Sequence, residues 1–485
     1  MKTRLQLILL LFLYSLLSYQ FIKNHLYDVN PDGISYIEIA QIYKSGNLRE
    51  AINAYWGPGY SLALLLLSYF FGWIQTARAL TFGLNILWIV GLYVLSLKLL
   101  KSEVKAFSVV GLSFLFPTFF DFWRLITPDF LLTAYSLFLL LFFYYIIQSE
   151  NQSKKKWLVL GFLAGVGYLI KPFFLLFAIV FFPLVFLRIF GRKFLKPTIY
   201  LFLGLFLIVA GWTLLIYWKY GKITTGTSGT VIYKNTVLKQ EYEFLYKPVM
   251  YPRKGTSYWV DPSDFTLATF DFRKQMIALQ INLWETLIFF IKRFHFGIFI
   301  LLLGLNSLRR NKQLLILLIF STLWVAIYST IYVEERYLWP IITPILIMII
   351  GSSKSSHKYL LGLYYIFALV LFAKYYIQYL PPDPNSRLHV MISEKIHSPC
   401  VILSDKWERG LYISFFSGCK YYGVSETSTN IRDIDKTLQR ETKAGAVTHF
   451  IAFDGKKYQR LPDFSLEQEW IFNNFDVLLY RTKTK

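Results

Sequence analysis

The run LFLGLFLIVAGWTLLIYW (residues 201–218) holds no charged residue over 18 consecutive positions. As an α-helix it is about 27 Å long at roughly 1.5 Å per residue, close to the roughly 30 Å thickness of a bilayer's hydrocarbon core. A run this long and this apolar is typical of a transmembrane helix. It predicts that the chain is an integral membrane protein.

The rest of the chain extends this pattern. Of its 485 residues, 55% are hydrophobic and 16% are charged, whereas a soluble protein is roughly 45–50% apolar and about 25% charged. Further apolar runs lie at residues 5–17 and 314–331. We therefore predict an all-α polytopic membrane protein that crosses the bilayer many times.

The net charge of +22 has an ordinary explanation in a membrane protein. In a soluble protein such a charge suggests nucleic acid as a partner. Here many lysines and arginines stand between apolar runs, as at 154–156 and 309–312, which is the positive-inside pattern of cytoplasmic loops. The charge predicts contact with membrane lipids and no nucleic-acid partner.

The basic loops also predict the topology. Arg4 precedes the first apolar run, and no small-residue cleavage site follows, so we predict a retained first helix and a cytoplasmic N-terminus. If every basic cluster is cytoplasmic, about eleven crossings place the C-terminus outside, in a bacterial inner or cell membrane. The predicted crossings are 5–22, 79–98, 106–126, 130–148, 157–170, 173–190, 197–218, 287–306, 314–332, 337–351 and 359–378.

One apolar segment, residues 60–73, does not fit as a crossing. It has about fourteen residues, fewer than a helix needs to span the hydrocarbon core. A full crossing here would also invert every later loop and move the lysine clusters outward. We expect the segment to lie along the outer leaflet or dip into it, and the first outer loop to carry membrane-parallel helices.

Two domains are predicted. Residues 1–380 form the transmembrane domain, and residues 381–485 form a small extracytoplasmic α/β domain. The linker Pro381-Pro-Asp-Pro384 separates them. Candidate strands lie at 401–404, 421–424, 448–453 and 477–480, and a candidate helix lies at 431–442.

The two cysteines, Cys400 and Cys419, both fall in the C-terminal domain, each just before a candidate strand. Adjacent strands would bring them together, and an external compartment permits a disulfide. The alternative is a pair of buried, unpaired thiols. The pattern leaves both open.

The first outer loop holds two carboxylates, Asp28 and Asp32, just past the first helix. Pro31 and Gly33 mark a turn, and residues 35–41 predict a short amphipathic helix lying on the membrane. Asp32 has two open interpretations: it favours the start of that helix, or it takes part in chemistry at the membrane surface. One carboxylate can do both.

An aromatic pair flanks a bend in the same loop. Trp56 and Tyr60 stand beside Gly57-Pro58-Gly59, which predicts a rigid turn at the interface. The two rings belong either to an aromatic belt or to the wall of a lipid or sugar pocket.

Charged side chains recur at the predicted outer ends of helices, where polar groups are costly and usually functional. Each one alone is explained by snorkelling to the interface, but four cations on this side run against the positive-inside bias. An anionic head group explains them together, because Arg offers a planar fork and Lys a point charge to phosphate oxygens. The set comprises Arg78, Arg124, Asp129, Lys171 and Glu334-Glu335-Arg336-Tyr337. We expect Lys171 and Arg336 to reach one pocket.

The motifs of nucleotide and zinc sites do not occur: the sequence has no P-loop, GxGxxG unit, CxxC or HExxH. No cofactor is predicted, and a divalent metal is left open. A carboxylate near a cationic pocket indicates group transfer from a lipid phosphate. Arg and Lys would hold the leaving phosphate while the carboxylate takes a proton from the attacking hydroxyl or amine.

The ordered motifs resemble the GT-C superfamily of membrane glycosyltransferases, in particular the branch containing protein O-mannosyltransferases and the lipid A aminoarabinose transferase. They recur in family order over residues 28–340. The motifs are Asp32-Gly-Ile-Ser-Tyr36-Ile-Glu-Ile-Ala40, Tyr55-Trp-Gly-Pro-Gly-Tyr60, Ala77-Arg78-Ala-Leu, Thr127-Pro-Asp129, Gly165-Val-Gly-Tyr-Leu-Ile-Lys171-Pro and Glu335-Arg336-Tyr337-Leu-Trp-Pro340.

This resemblance implies inverting transfer of a sugar from a polyprenyl-phosphate-linked donor to a glycan, lipid or protein acceptor. The catalytic candidates that it implies are Asp32, Asp129 and Asp28. The candidates for the lipid phosphate are Lys171, Arg336 and Arg78. The other substrate-binding candidates are Glu335, Tyr337, Tyr36, Trp56 and Tyr60.

The chain departs from the family in two places. Many relatives carry Asp-Glu where this chain has Asp32-Gly33, and the aminoarabinose branch has a basic residue near Gly57-Pro58 that is absent here. Two alternative functions stay open. A lipid-glycan flippase would need the cations but not the neighbouring carboxylates, and an assembly subunit would keep the fold without activity.

Overall fold

The computed structural model describes residues 2–115, 118–150, 153–240, 261–295, 297–304, 311–353, 358–423, 447–453, 461, 464–472 and 475–483. The chain divides into two compact units. Unit one comprises Met1–Leu26, Gly46–Lys239 and Ser263–Pro381. Unit two comprises Tyr27–Ser45, Gln240–Pro262 and Pro382–Lys485. The predicted division into residues 1–380 and 381–485 stays a prediction.

The regular elements among the described residues of unit one are all helices. Two 3₁₀ segments, Gly191–Phe194 and Glu335–Ile341, join longer helices. The α-helices are α1 (Lys2–Asn24), α3 (Leu48–Ala51), α4 (Pro58–Leu67), α5 (Trp73–Leu100), α6 (Glu103–Phe114), α7 (Thr118–Arg124), α8 (Pro128–Gln148), α9 (Lys154–Ile170), α10 (Phe173–Phe190), α11 (Leu195–Tyr220), α12 (Ser228–Thr236), α13 (Phe272–Phe294), α14 (Gly297–Leu303), α15 (Lys312–Ser329), α16 (Ile342–Ser352) and α17 (Lys358–Tyr379).

Several of these helices are long and apolar enough to cross a membrane, as predicted. Six helical stretches of the described residues qualify, or seven if α13 and α14 form one bent span. One stretch, Phe173–Tyr220, contains both α10 and α11. The prediction of about eleven crossings stays a prediction.

One predicted crossing differs from the observed helices, and the short apolar segment agrees with its prediction. Residues 106–126 were expected to form a single crossing, but α6 ends at Phe114 and α7 begins at Thr118. The short apolar segment after Pro58 forms α4, which has 10 residues. At roughly 1.5 Å per residue it is about 15 Å long, half the hydrocarbon thickness, which supports the prediction that it does not cross.

Two glycines explain why α9 and α11 pack so closely in unit one. Gly161 on α9 faces the carbonyl of Leu201 on α11, and Gly204 on α11 faces the carbonyl of Leu158. A Cβ on either glycine would overlap the facing carbonyl oxygen. Such glycines let two apolar helices pack backbone to backbone, which is the usual basis of helix association in a membrane.

Unit two contains a five-stranded mixed sheet with strand order β2-β1-β3-β5-β4. Strand β1 pairs in parallel with β2 and β3, and β5 pairs antiparallel with β3 and β4. The strands are β1 (Val401–Ser404), β2 (Lys420–Gly423), β3 (His449–Ala452), β4 (Phe464–Phe472) and β5 (Phe475–Thr482). The helices are α2 (Pro31–Lys44), α18 (Pro384–Ser393) and α19 (Trp407–Ser417).

All four candidate strands of the C-terminal region are found. Strand β4 and helix α19 were missed, and the helix predicted at 431–442 lies outside the described residues. The cysteine question is also answered, because Cys400 and Cys419 form a disulfide with a Cα–Cα distance of 4.9 Å. The pairing follows from the sheet, in which β1 and β2 are neighbours.

The helix of the first outer loop differs from its prediction. Helix α2 begins at Pro31, and its eight consecutive residues 33–40 are all buried. The expected short amphipathic helix lying on the membrane was therefore wrong, because such a helix buries only its apolar side. Here the polar residues Ser35 and Glu38 are buried together with the apolar ones.

Candidate active site

Three helix boundaries in unit one carry the polar cluster. Asp129 is the second residue of α8, after the N-cap Thr127 and a proline that fits the first helical position. Lys171 follows the last residue of α9 in an extended conformation, which the next residue, Pro172, favours. Arg336 lies in the 3₁₀ segment Glu335–Ile341. The turn residues of the sequence thus place each charge at a helix end.

These three side chains meet. Lys171 Nζ donates a hydrogen bond to Asp129 Oδ1, and Arg336 Nε lies 3.8 Å from Asp129 Oδ2. Thr127 Oγ1 donates to the same Oδ2 at 2.6 Å, and Arg336 Nε donates to Glu334 Oε2 at 2.6 Å. We call Asp129, Lys171, Arg336, Glu334 and Thr127 the Lys171 cluster. Lys171 and Arg336 therefore approach each other at Asp129, as expected, and a shared pocket for the phosphate stays a prediction.

Aromatic rings form one wall of the cluster. Lys171 Nζ lies 3.6 Å from the ring centroid of Tyr337 and 5.6 Å from that of Tyr328. The Arg336 guanidinium lies 5.4 Å from the Tyr337 centroid, and the two tyrosine rings stack at 5.1 Å. Cations over ring faces are attracted by the ring quadrupole. Tyr337 was predicted, but Tyr328 was missed, because it looks like any aromatic residue of an apolar helix.

The two carboxylates of the Lys171 cluster differ in burial. Asp129 is 3% exposed, whereas the side chain of Glu334 is 34% exposed. Burial lowers the pKa of Lys171, and the carboxylate of Asp129 opposes that shift. Among the described residues, Asp129 is the one hydrogen-bond acceptor seen for Lys171 Nζ. An ammonium has three N–H donors, so Lys171 can also bind an anion.

The Gly-Pro-Gly turn packs directly behind Lys171. A Cβ on Gly57 would lie 2.5 Å from the carbonyl oxygen of Leu169, and a Cβ on Gly59 would lie 2.9 Å from the Cα of Ile170. Both contacts are closer than real Cβ atoms allow. The two glycines therefore let the turn rest on the last residues of α9, just before Lys171.

The aromatic residues of this turn are buried. Tyr60 is 1% exposed, and Trp56 is 8% exposed. Tyr60 lies beside the backbone of Thr127 and the guanidinium of Arg78, while the backbone N–H of Trp56 donates to Asn53 Oδ1 at 2.9 Å. Both rings are enclosed, so an interfacial aromatic belt does not fit. Their role in binding substrate stays a prediction.

Arg78 makes a different kind of contact from Lys171 and Arg336. It is buried on α5, and its Nη1 donates to the carbonyls of Trp123 at 2.5 Å and Arg124 at 3.4 Å. Its Nε donates to the carbonyl of Leu26 at 3.4 Å. These bonds satisfy carbonyls at the end of α7. They indicate an anchoring role, and the predicted phosphate contact stays a prediction.

Glu335 belongs to a second set of ion pairs. Arg293 Nη2 contacts Asp121 Oδ2 at 2.9 Å and also Glu335 Oε1. We call Arg293, Asp121 and Glu335 the Arg293 cluster. Burial raises the pKa of the Glu335 carboxyl, although the Arg293 guanidinium opposes that rise. The sequence offered no signal for this cluster, because Arg293 and Asp121 are 172 positions apart.

The remaining acidic candidates belong to unit two. Asp32 lies in the first turn of α2, where a carboxylate suits the positive end of the helix. Within unit two its charge acts on the Tyr412 hydroxyl, whose pKa is raised by burial first and then by Glu408 and Asp32. Asp28 and Tyr36 are both buried. The position of Asp32 thus fits its structural interpretation, and its chemical role stays a prediction.

A metal site is not evident in the part of the chain that the structure describes. Those residues contain no group of three or more His, Cys, Asp or Glu side chains placed to hold a metal ion.

Comparisons with known proteins agree on the fold. Residues 59–218 match the family described as dolichyl-phosphate-mannose-protein mannosyltransferase. ArnT from Cupriavidus metallidurans in the apo state matches with a TM-score of 0.63 at 13% identity, over 98% of this chain and 97% of that one. ArnT bound to undecaprenyl phosphate matches with a TM-score of 0.60 at 12% identity, with the same coverage.

A more distant solved structure matches as well. The archaeal oligosaccharyltransferase AglB from Archaeoglobus fulgidus, in complex with an inhibitory peptide and a dolichol-phosphate, has a TM-score of 0.54 at 11% identity, over 93% of this chain and 70% of that one. No protein of curated function matches the chain. At these identities the structural matches establish the fold.

Proposed function

We propose that this chain is a member of the GT-C superfamily of membrane glycosyltransferases and moves a sugar from a polyprenyl-phosphate donor to an acceptor on the extracytoplasmic face. The matched family acts with dolichyl-phosphate-mannose, and two similar structures hold undecaprenyl phosphate or dolichol-phosphate. A lipid-linked donor is what these relatives share. The acceptor is a glycan, lipid or protein.

The single observation that carries the proposal is the meeting of Lys171 and Arg336 at one carboxylate. Two cations converge on one buried acid, and their second acid, Glu334, is 34% exposed. Solvent weakens the ion pair between Glu334 and Arg336, because partly exposed charges are screened. A lipid phosphate can therefore displace Glu334 from Arg336 and take the donors of Arg336 and Lys171.

Asp129 is better suited to holding the cations than to removing a proton. Its two oxygens already face Lys171, Arg336 and the Thr127 hydroxyl. Because these contacts occupy both oxygens, neither is placed to take a proton from an acceptor. We assign Asp129 to the positioning of Lys171 and Arg336.

Asp32 is the proposed base, on the resemblance of its motif to the family. As the acceptor oxygen or nitrogen forms its bond to the anomeric carbon, its proton passes to Asp32. The bond from that carbon to the donor phosphate oxygen breaks, and the polyprenyl phosphate leaves with the electron pair. One displacement inverts the anomeric centre. Asp28 is the alternative base, and no cofactor takes part in this scheme.

Binding of the leaving lipid tests the donor site. The purified full-length protein should retain undecaprenyl phosphate in native mass spectrometry, and Lys171→Ala should lose it. Lys234→Ala is the matched control, because Lys234 is also a buried lysine of unit one and pairs with Asp264 at 2.9 Å. Equal retention by wild type and Lys171→Ala would contradict the donor site.

Product analysis tests the reaction and separates it from the alternatives. Mass spectrometry of glycolipids and glycoproteins, with and without the gene, should show one sugar lost from one acceptor class. If the protein is a flippase, loss of the gene should instead leave the donor lipid on the cytoplasmic side of the membrane. If it is an inactive subunit, it would bind the lipid, and Asp32→Asn would restore the product in the deletion strain as well as wild type does.

Cysteine labelling tests the proposed orientation. We expect the N-terminus in the cytoplasm and the C-terminal region outside, because the short basic loops lie on one side. A cysteine introduced near Lys154 should react only from the cytoplasmic side, and one near Asp405 only from the outside. Labelling of both from the same side would contradict this topology.

A further inference from the structure

The helix that carries Asp32 packs on the C-terminal part of unit two. Ile34 of α2 is fully buried and forms one apolar cluster with Leu411 of α19 and Tyr421 of β2. Tyr27, just before α2, meets Phe416 of α19 with the ring centroids 5.9 Å apart. These contacts join residues more than 370 positions apart in the chain.

The two sides of this packing surface are held together. Gly410, next to Leu411, has no side chain where a Cβ would lie 2.8 Å from the Tyr421 ring and 2.5 Å from Ser404 Cβ. The disulfide between Cys400 and Cys419 closes a loop that contains both β1 and α19. Helix α19 and strand β2 therefore form one rigid surface under α2.

We infer that α19 and β2 are the seat of α2, and that Leu411 and Tyr421 are positioning residues for Asp32. Asp32 and Ile34 lie two positions apart at the start of the same helix, so a shift of Ile34 moves the carboxylate. Misplacement of a reacting group by about 1 Å can cost on the order of 10²-fold in rate. This inference rests on the proposed role of Asp32 as the base.

Helix α19 supplies its own control residue. Ile413 is as fully buried as Leu411, but it belongs to a different apolar cluster, with Cys400, Cys419 and Ile402 of the sheet. Leu411 faces α2, whereas Ile413 faces the sheet. Truncation of each removes similar apolar surface from the same helix, and only Leu411 packs against α2.

Hydrogen exchange of the full-length protein in detergent tests the seat directly. We expect Leu411→Ala to speed amide exchange across residues 31–44 by at least about tenfold, and Leu411→Met to restore slow exchange. Ile413→Ala should speed exchange in the β3 peptide, 449–452, and leave residues 31–44 within about twofold of wild type. Unchanged exchange of residues 31–44 in Leu411→Ala, or equal acceleration by Ile413→Ala, would overturn the seat.

A second readout separates this inference from the proposed function. Leu411→Ala should lower product formation in cells by about tenfold or more, while the purified variant retains undecaprenyl phosphate as well as wild type. Normal product formation despite fast exchange in residues 31–44 would overturn the positioning role. If Asp32→Asn stays active, the proposed base is wrong, and the exchange result still decides whether the seat exists.

Discussion

Two ion-pair clusters of unit one use the same residue types in different arrangements. In the Lys171 cluster, one buried carboxylate, Asp129, is shared by two cations. In the Arg293 cluster, one guanidinium is shared by two carboxylates. The two clusters are adjacent in the chain, because Glu335 belongs to one and Arg336 to the other.

This difference in arrangement separates binding from support. Two cations meet at the buried Asp129, and Glu334, the acid that completes the charge balance, is 34% exposed, so an anion can replace it. In the Arg293 cluster, two carboxylates face one arginine, so they repel a phosphate and already pair with the guanidinium. We therefore expect the Lys171 cluster to bind the donor and the Arg293 cluster to hold α13 to α7 and the Glu335–Ile341 segment.

The largest expected effect comes from Lys171→Ala. It removes a cation whose hydrogen bond to a phosphate oxygen contributes about 1.5–3 kcal/mol, so retention of undecaprenyl phosphate should fall by roughly 10–100-fold. Titration of the purified protein with the lipid measures this loss. Arg293→Ala should stay within a few-fold of wild type, and an equal loss in both variants would erase the distinction between the clusters.

Arg293→Ala should instead lower stability. It leaves Asp121 and Glu335 without their shared partner, at a cost of about 2 kcal/mol, which thermal unfolding in detergent detects. The cost should depend on pH. Burial already raises the pKa of Glu335. In the variant, the contribution of Glu335 to the free energy of unfolding is therefore intact in acid and is lost as the pH rises through its folded pKa, so the destabilisation should be larger at about pH 8 than at about pH 5. Equal destabilisation at about pH 5 and pH 8 would contradict this account.

Thr127→Val should have a smaller effect. The change keeps the shape of the side chain but removes the hydroxyl that donates to Asp129 Oδ2 at 2.6 Å. Loss of one such bond is worth about 1 kcal/mol, so retention of undecaprenyl phosphate should weaken by roughly fivefold. Thr133→Val is the matched control, since Thr133 lies on the same helix and donates to the backbone carbonyl of Asp129 rather than to its carboxylate. Equal effects of both changes would show that Asp129 needs no support from Thr127.

Lys171→Arg should change mainly the pH dependence of binding. Burial lowers the pKa of Lys171, so the lysine loses its charge at a lower pH than an exposed lysine does. Retention of undecaprenyl phosphate by wild type should decline as the pH rises through that value. Arginine stays charged in this range, so the variant should bind a few-fold more weakly at neutral pH without the alkaline decline. A decline in both proteins would assign it to another group.

Local patterns predicted much of this molecule. Apolar runs indicated the long helices, and the strand at Val401–Ser404 was placed correctly because short apolar runs between turn residues are typical of strands. The meeting of Lys171 and Arg336 was also expected, because both are cations at helix ends and one anionic head group explains both. In each case the signal lay within a few residues of the feature.

The features that were missed depend on distant partners. The burial of Ile34 depends on Leu411 and Tyr421, far away in the chain, so the sequence of α2 alone suggested an amphipathic helix lying on the membrane. Gly57 and Gly59 were recognised as a turn, but not as the surface on which α9 rests before Lys171. Tyr328 and Arg293 carried no local sign of their contacts, since only the folded chain brings their partners close.

The most direct test of the central claim is the transfer rate of Asp32→Asn, measured beside its retention of undecaprenyl phosphate. Asparagine keeps the size of the side chain and its preference for a helix start, but it cannot take a proton. A general base contributes on the order of 10²–10⁴-fold in rate. We predict a loss of at least about 100-fold in transfer, with the lipid retained as in wild type. Transfer within a few-fold of wild type by the purified, folded variant would contradict the claim that Asp32 is the base.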